Sequence, residues 1–377
     1  MPTIGIVAGE ASGDLLGSHL IRALKAQRPD LRFVGIAGPK MQSEGAQSLF
    51  PMERLAVRGL FEVLRHLPGL LRLRKQLLRH FLDNPPDLFI GIDAPDFNFT
   101  LERKLKRKGI RTIHYVSPSI WAWRKGRLGK IKRAVSHMLA LFPFEPALYE
   151  KVGIPVSYVG HPLADIIPLA SQYQTSREQL RIRDGLAVIA MLPGSRQSEV
   201  EQLGDLYVKT AKKILQDQPN VQFLVPLITR ETRDIFQQVI YANQAEHLPI
   251  KVMFGHAHLA MAAADAVIVA AGTATLEAAL LKRPMVITYR MPRLSWIFLK
   301  RMNYLPYVGL PNILAGKFVV PELLQYEATP ERIAETALKL ISDRELVKDI
   351  EQQFTVLHQQ LRQDTASKAA AAVLQYL

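Results

Sequence analysis

The sequence predicts an α/β protein with two doubly wound domains, each built on a parallel sheet. Short apolar strand segments alternate with helical segments, and strands that are apolar on both faces are typical of a parallel sheet covered by helices. The alternation stops in the polar segment 165–185, which we interpret as a linker, and then begins again. A length of 377 residues fits two or three domains of about 150 residues each.

The first domain begins with an apolar, β-branched segment. Residues 3–8, TIGIVA, predict a strand, residues 9–14 a Gly-containing turn, and residues 15–27 a helix with one apolar face. The same criteria predict further strands at 33–37, 88–92, 112–116, 138–142 and 156–159. They also predict one helix that starts near residue 40 and another at 100–108.

The second domain repeats this layout. Residues 188–192 predict its first strand, residues 193–196 a turn and residues 199–215 a helix. Further strands are predicted at 221–226, 251–254, 266–270 and 285–289, and further helices at 295–304, 330–342, 344–361 and 365–377. Because α/β sheets bind ligands at the carboxyl ends of their strands, we expect a cleft between two such edges to hold the site.

The absence of cysteine and the net charge of +14 limit the classes of function that this chain could have. A chain without cysteine has no disulfide framework, cysteine nucleophile or zinc–thiolate site, and a hydrophobic fraction of 48% excludes a disordered chain. Residues 1–170 hold 25 basic and 14 acidic side chains, and residues 103–133 hold 12 basic and no acidic ones. This excess predicts an anionic partner, which is a nucleic acid, an anionic membrane or a phosphorylated substrate.

Residues 55–80 form a basic amphipathic segment. Its apolar side chains lie on both sides of Pro68, and six Lys and Arg residues stand against the single acid Glu62. The mixture is typical of a helix on a membrane surface, although a core helix with a solvated basic face has the same pattern. The residues that we expect at the membrane are Val57, Leu60, Phe61, Leu64, Arg65, Leu70, Leu71 and Arg72.

No segment predicts a membrane span or a signal peptide. The most apolar window, 261–281, contains Asp265 and Glu277, and the N-terminus begins directly with a strand. We therefore expect a cytoplasmic protein that lies on the membrane surface.

Three motifs of the first domain follow predicted strands. GEASGD (9–14) places glycines and a helix start where an anion would bind, although an ordinary capped turn has the same pattern. In GIDAPDFN (91–98), we expect Asp93 to act as a general base and Asp96 to cap the next helix. HYVSPSIWAWR (114–124) sets aromatic rings beside Arg124, where they would stack on sugars or bases or lie at a lipid interface. A phosphate-bearing ligand is expected to contact Glu10, Ser12, Gly13, Asp14, Ser117 and Arg124.

Three motifs of the second domain favour a nucleotide. LPGSR (192–196) lets the backbone approach a ligand and offers Arg196 to a diphosphate. GTATLEA (272–278) begins a helix whose first N–H groups have no intrahelical partner and could bind a ligand. Glu277 could accept hydrogen bonds from two ribose hydroxyls, although a solvated Glu in the first turn of a helix is the commoner case. In LPNILAG (310–316), Asn312 is either a ligand amide or a turn residue. The expected set is Gly194, Ser195, Arg196, Gly272, Thr273, Thr275, Glu277 and Asn312.

Together the motifs resemble one family. VAGEASGD, GIDAPDFN, HYVSPSIWAWR, LPGSR, GTATLEAAL and LPNILAG occur in this order in lipid-A-disaccharide synthases, over essentially the whole chain. The resemblance implies the GT-B fold, with two doubly wound Rossmann-like domains facing a cleft and C-terminal helices. It also implies a reaction of lipopolysaccharide synthesis, in which 2,3-diacylglucosamine passes from UDP-2,3-diacylglucosamine to 2,3-diacylglucosamine 1-phosphate (lipid X).

The resemblance assigns roles to single residues. Asp93 matches the family's proposed base, Arg196 its essential arginine, Glu277 its nucleotide-contacting glutamate and Asn312 a conserved asparagine. It implies single-displacement transfer with inversion, which forms a β-1,6 disaccharide 1-phosphate and UDP. Arg196 and the helix start at 272–275 would stabilise the leaving UDP. We expect no cofactor and no metal, since the chain has no DxD motif.

The resemblance also assigns the parts of the chain. Residues 1–170 would bind the acceptor and the membrane, and residues 171–340 the UDP-sugar. Residues 341–377 would pack back on the first domain or exchange between the subunits of a homodimer. The expected place is the cytoplasmic face of the bacterial inner membrane, with its anionic phospholipids as a partner and no nucleic acid.

Two other functions share some of these features. A UDP-N-acetylglucosamine 2-epimerase would have the same fold, a similar nucleotide pocket and a GHP motif (160–162), but it would not need the apolar basic segment. A nucleic-acid-binding protein would use the basic stretch 103–133, although no RNA- or DNA-binding signature accompanies it.

Overall fold

The computed structural model describes residues 1–55, 60–120, 125–291, 296 and 305–377, without the side chains of 60–66 and 125. The described chain divides into two compact units. Unit 1 consists of Met1–Asp165 with Leu361–Leu377, and unit 2 of Ile166–Gln360. Each unit contains a parallel sheet, as the repeated alternation predicts.

The sheet of unit 1 has the strand order β3-β2-β1-β4-β5-β6-β7, and all its pairings are parallel. Its central strands are buried on both faces, because their apolar residues do not alternate with polar ones. The strands are β1 (Thr3–Ala8), β2 (Arg32–Ile36), β3 (Ala46–Ser48), β4 (Leu88–Ile92), β5 (Arg111–Tyr115), β6 (His137–Ala140) and β7 (Val156–Tyr158).

The helices of unit 1 cover this sheet. In helix α3 (Leu60–Asp83), the buried residues Leu73, Leu77 and Phe81 recur every four residues, so one face of this helix belongs to the core. The helices are α1 (Ala11–Gln27), α2 (Pro39–Ser43), α3 (Leu60–Asp83), α4 (Pro95–Lys106), α5 (Leu128–Ala134), α6 (Pro146–Glu150) and α7 (Pro162–Ile166), which ends at the boundary, and the last helix of the chain, α16 (Thr365–Leu374).

Helix α16 returns to unit 1. Its buried Ala369 and Val373 belong to the same core as β1 and β4. The carboxylate of Asp165 accepts the backbone N–H groups of 363, 364 and 365 at 3.1, 3.0 and 2.8 Å. These bonds satisfy donors that the start of a helix leaves without an intrahelical partner. The chain therefore leaves unit 1 near Asp165 and comes back at Leu361.

The sheet of unit 2 has the order β10-β9-β8-β11-β12-β13, and it is also parallel. Its strands are β8 (Ala187–Leu192), β9 (Val221–Leu227), β10 (Ile250–Phe254), β11 (Ala266–Ala270), β12 (Met285–Tyr289) and β13 (Glu322–Leu324). Its helices are α8 (Tyr173–Leu180), α9 (Gln197–Asp217), α10 (Arg230–Ala242), α11 (Ala257–Ala262), α12 (Thr273–Leu280), α13 (Leu310–Ala315), α14 (Pro330–Ser342) and α15 (Arg344–Leu361).

Helix α8 lies inside the polar segment 165–185, which we interpreted as a linker. Its polar side chains are anchored to one carboxylate of the sheet. The Tyr173 hydroxyl donates to Asp265 at 2.6 Å, and the Arg177 guanidinium donates to the same carboxylate at 3.3 Å. The segment therefore folds through polar contacts, which an apolar periodicity does not detect.

Candidate functional site

The first two motifs meet at the carboxyl edge of the sheet in unit 1. The register pairs Ala8 with Ile92 and Ile92 with Tyr115, so the loops that follow β1, β4 and β5 begin side by side. Gly9 lies directly against Ala94, and a Cβ atom at Gly9 would come within 2.9 Å of the Ala94 methyl group. A residue without a side chain therefore allows the two loops to pack together.

Asp93 occupies a strained turn at the end of β4. Asp93 and Ala94 both have left-handed backbones, with φ of 50° and 44°. Residues other than glycine seldom adopt this conformation, and such strain is concentrated at functional sites. The Asp93 N–H donates to the Tyr115 carbonyl at 2.9 Å, and its own carbonyl accepts from the buried Asn98 amide at 2.8 Å. Both polar groups of the Asp93 peptide are therefore held in place.

Asp96 has a different environment. It lies in the first turn of α4, its side chain is 83% exposed, and it pairs with Arg127 at 3.1 Å. The N-cap position of α4 is Ala94, which has no side-chain cap, so the expectation that Asp96 caps this helix is wrong. A carboxylate in a first turn is instead favoured by the helix dipole.

The first motif divides into structural and surface residues. The buried Asp14 carboxylate accepts the N–H groups of Lys40 and Met41, each at 3.0 Å, and so caps α2. Gly13 is buried near the end of β4, whereas Ser12 is exposed in the first turn of α1 and Glu10 is the N-cap residue of α1. A ligand at this edge would therefore meet Glu10 and Ser12 before it reached Asp14.

The third motif begins beside this edge. Val116 has a φ of 84°, which is a real outlier for a β-branched residue. The next residue, Ser117, is buried and shares a 2.6 Å hydrogen bond with the Tyr149 hydroxyl. Trp121, Trp123 and Arg124 lie outside the described residues.

In unit 2, a glutamate fills the turn after β8. Gly194 has a φ of 128°, and a side chain there would collide with the Glu199 carboxylate. The backbone N–H groups of Ser195 and Arg196 donate to this carboxylate at 2.9 and 3.2 Å, and the Arg196 guanidinium donates to it at 3.1 Å. The turn therefore already binds an anion, in the manner expected of a phosphate-binding loop at a helix N-terminus.

A second turn lies beside the first, because Leu192 pairs with Val269 in the sheet. Gly272 and Thr273 are exposed at the start of α12, whereas Thr275 is buried and its hydroxyl donates to the Gly272 carbonyl at 2.7 Å. Glu277 is one turn further along and accepts a 2.7 Å hydrogen bond from His258 on α11. His258 was not predicted as a site residue, because it belongs to no recognised motif and contacts Glu277 only through the packing of α11 against α12.

The pair of His258 and Glu277 predicts a pH dependence. The hydrogen bond to Glu277 raises the pKa of His258 above its ordinary value of 6.5, and burial opposes this. The pair therefore stabilises the folded state fully below the unfolded pKa of about 6.5 and loses that effect as the pH rises through the higher folded pKa. In Glu277→Gln we expect a lower pKa of His258 in an NMR titration. The same pKa in Glu277→Gln as in the wild type would contradict this, and Glu345→Gln serves as a control.

Asn312 is committed to the chain around it. This fully buried amide donates to the Val320 carbonyl and to Glu322 at 2.9 and 2.8 Å, and it accepts from the N–H groups of 319 and 320 at 2.8 and 3.0 Å. All four of its hydrogen-bonding positions are therefore in use. A direct contact with a substrate would require one of these bonds to break.

Most of helix α3 (Leu60–Asp83) lies in the segment 55–80, and this helix has two different faces. One face is buried, as described above. The other exposes Leu67 and Leu71, which are 40% and 46% exposed, together with Arg72, Lys75 and Arg79. Leu70 is partly buried, Val57 lies outside the described residues, and the side chains of Leu60, Phe61, Leu64 and Arg65 are not described. Across the described part of the chain, no helix is long and apolar enough to cross a membrane.

Comparisons with known sequences identify the family of the chain. The sequence profile of the lipid-A-disaccharide synthetase family matches residues 4–374. The chain belongs to this family. The lipid-A-disaccharide synthase of Methylobacillus flagellatus is 68% identical over 377 residues, which is 100% of both chains. The chain therefore functions as a glycosyltransferase of lipid A synthesis, as the resemblance of its motifs implied.

Solved structures of other proteins share the fold. MurG from Acinetobacter baumannii aligns over 99% of both chains with a TM-score of 0.58 and 15% identity. UDP-GlcNAc 2-epimerase from Neisseria meningitidis, solved with UDP-GlcNAc, aligns over 100% and 99% of the chains with a TM-score of 0.64 and 12% identity. Similarity at this level shows the GT-B fold alone. The epimerase and nucleic-acid alternatives are therefore not favoured over the family assignment.

Proposed function

We propose that the chain transfers 2,3-diacylglucosamine from UDP-2,3-diacylglucosamine to lipid X. The products are the β-1,6-linked disaccharide 1-phosphate and UDP. The family match over residues 4–374 carries this proposal, because it includes both carboxyl-edge sites in one chain. The position of Asp93 supports it, since a partly exposed carboxylate is held there in a strained loop.

In the proposed mechanism, Asp93 is the general base. Its carboxylate accepts the proton of the acceptor 6-hydroxyl while that oxygen attacks the anomeric carbon of the donor. The new glycosidic bond forms as the bond to the UDP oxygen breaks on the opposite face, so the α-linked donor gives a β-linked product. The proton ends on Asp93 and the electron pair on UDP, which balances the step.

Unit 2 would hold the leaving group. Arg196 and the N–H groups of the turn after β8 are donors for the diphosphate, and they are the groups that Glu199 now occupies. Donors placed where negative charge develops stabilise the transition state most effectively. The start of α12 adds the exposed Gly272 and Thr273, and Glu277 would accept the ribose hydroxyls after releasing His258.

The direct test is an assay of UDP release by the purified protein with UDP-2,3-diacylglucosamine and lipid X. We expect UDP only when both substrates are present, with one disaccharide formed per UDP. The absence of UDP above background would overturn the proposal. Conversion of UDP-N-acetylglucosamine without an acceptor would instead support an epimerase.

We also propose that the protein binds the cytoplasmic face of the inner membrane through the outer face of α3. Exposed leucines flanked by arginines and a lysine combine apolar insertion with attraction to anionic lipids. The positive charge of the same surface would also attract the 1-phosphate of lipid X. Homodimerisation stays a prediction, which the mass in solution would test, and the exchange of C-terminal helices between subunits stays a prediction as well.

Leu67→Glu/Leu71→Glu should lower the partition onto phosphatidylglycerol vesicles by about tenfold or more, because both apolar area and charge attraction are lost. Sedimentation with vesicles measures this. Val356→Glu is the matched control, since Val356 is 48% exposed on α15 and should leave the partition unchanged. Equal partition of the double variant and the wild type, or tight RNA binding without vesicle binding, would contradict the proposal.

A further inference from the structure

Behind the loop that carries Asp93 lies a fully buried pair, Glu102 and His114. Glu102 belongs to α4 and His114 to β5, and the Glu102 Oε1 and His114 Nδ1 atoms are 2.7 Å apart. Neither side chain is exposed to solvent. The ring of Phe99 covers His114 at a centroid distance of 4.3 Å. The pair therefore cannot touch a substrate, and the mechanism proposed above does not use it.

This pair is costly for the fold. Glu102 Oε2, His114 Nε2 and the Asn98 Oδ1 atom are buried and have no hydrogen-bond partner among the described residues. Burial also raises the pKa of Glu102, an effect that the neighbouring His114 opposes. Buried polar atoms without partners cost free energy, and well-packed apolar residues often stabilise such a site as much or more. Stability alone therefore does not explain the pair.

The pair joins the same two elements that hold Asp93. The Asp93 N–H is held by Tyr115 of β5, and its carbonyl is held by Asn98 of α4. His114 is adjacent to Tyr115, and Glu102 lies one helical turn beyond Asn98. The hydrogen bond between Glu102 and His114 therefore closes a ring of contacts around the Asp93 peptide.

Gly91 makes this arrangement sterically feasible. A Cβ atom at Gly91 would collide with Glu102 Oε1 and would lie 3.0 Å from the Asn98 side chain. The glycine in β4 thus leaves the space through which the Glu102 carboxyl group reaches His114 on the neighbouring strand. The buried pair therefore depends on a residue without a side chain at position 91 of β4.

We propose that Glu102 and His114 are positioning residues, which set the placement of α4 against β5 and thereby fix Asp93 for proton transfer. The inference rests on the proposed role of Asp93. Misplacement of a catalytic group by about 1 Å can cost about 100-fold in rate, so a small shift of α4 is sufficient to be measured.

The test compares two substitutions of similar size. Glu102→Leu removes the hydrogen bond, whereas Glu102→Gln keeps a partner for His114. We expect Glu102→Leu to lower kcat by about tenfold or more with the KM for the UDP-sugar within about twofold, because the donor contacts lie in unit 2. Glu102→Gln should retain most of the turnover. A loss confined to kcat, and restored by the conservative variant, is not expected from a merely structural role.

Two further variants keep the test decisive. If Glu102→Leu does not fold, Glu102→Leu/His114→Leu replaces the pair with apolar side chains, and it should be stable but slow. Thr112→Val is the control for a lost buried hydrogen bond on the same strand, since the Thr112 hydroxyl donates to Ala134 at 2.7 Å. It should change stability without changing kcat.

Each outcome has one meaning. Wild-type kcat in a folded Glu102→Leu or double variant overturns the inference, as does a loss of kcat in Thr112→Val that equals the loss in Glu102→Leu. Asp93→Asn is measured alongside. An inactive Asp93→Asn with an active Glu102→Leu refutes the positioning role alone, whereas an active Asp93→Asn refutes the proposed base.

Discussion

Replacing Asp93 with asparagine should lower turnover by about 10²–10⁴-fold and leave the affinity for UDP unchanged. The amide has nearly the size of the carboxylate but cannot accept the proton of the acceptor hydroxyl. Asparagine also tolerates the left-handed backbone that Asp93 adopts, with its φ of 50°. The loop should therefore keep its shape, and the loss of rate can be assigned to the missing base.

Asp96→Asn is the matched control for this experiment. It makes the same chemical change three residues further along, at an exposed side chain that pairs only with Arg127 among the described residues. We expect its rate of UDP release to stay within about twofold of the wild type, because exposed ion pairs contribute little. Normal turnover of Asp93→Asn would reject Asp93 as the base, and a large loss in Asp96→Asn would move that role to Asp96.

The fold was predictable because its central strands carry a strong local signal. Residues 3–8 and 88–92 are apolar without interruption, so burial on both faces could be inferred, and both strands are in the centre of the sheet. Two of the edge strands, β3 and β13, have three residues each and were not predicted, whereas the equally short edge strand β7 was. Such short strands form because a neighbouring strand supplies hydrogen bonds, and their own sequence shows no alternation.

Only the part of the site that lies within sequence motifs could be predicted. Residues in the loops after β1 and β4 were predicted as site residues from their motifs, and the packing of Gly9 against Ala94 brings these two loops side by side. The contacts of Glu277 with His258 and of Glu102 with His114 depend on how helices pack, which sequence spacing does not show. Asn312 was predicted as a site residue from its motif, but its side-chain amide is hydrogen-bonded to the backbone of Val319 and Val320.

Replacing Arg196 with alanine should lower kcat/KM for the UDP-sugar by about 10²–10³-fold. The Arg196 guanidinium is 65% exposed at the turn after β8 and makes a 3.1 Å contact with Glu199. Its charge and forked donors suit a diphosphate, and removing them leaves the developing charge on UDP without a partner. Stopped-flow or steady-state measurement of UDP release gives kcat/KM, and titration calorimetry gives the affinity for UDP.

Glu199→Gln should have the opposite effect on donor binding. The Glu199 carboxylate holds the N–H groups of Ser195 and Arg196, so a diphosphate that binds this turn has to displace one negative charge from it. Glutamine keeps the hydrogen-bonding capacity that caps α9 but removes the charge that competes with the diphosphate. We therefore expect tighter UDP binding in Glu199→Gln and weaker binding in Arg196→Ala. If both variants weaken UDP binding equally, Glu199 supports the turn rather than competing for it, and the displacement step is wrong.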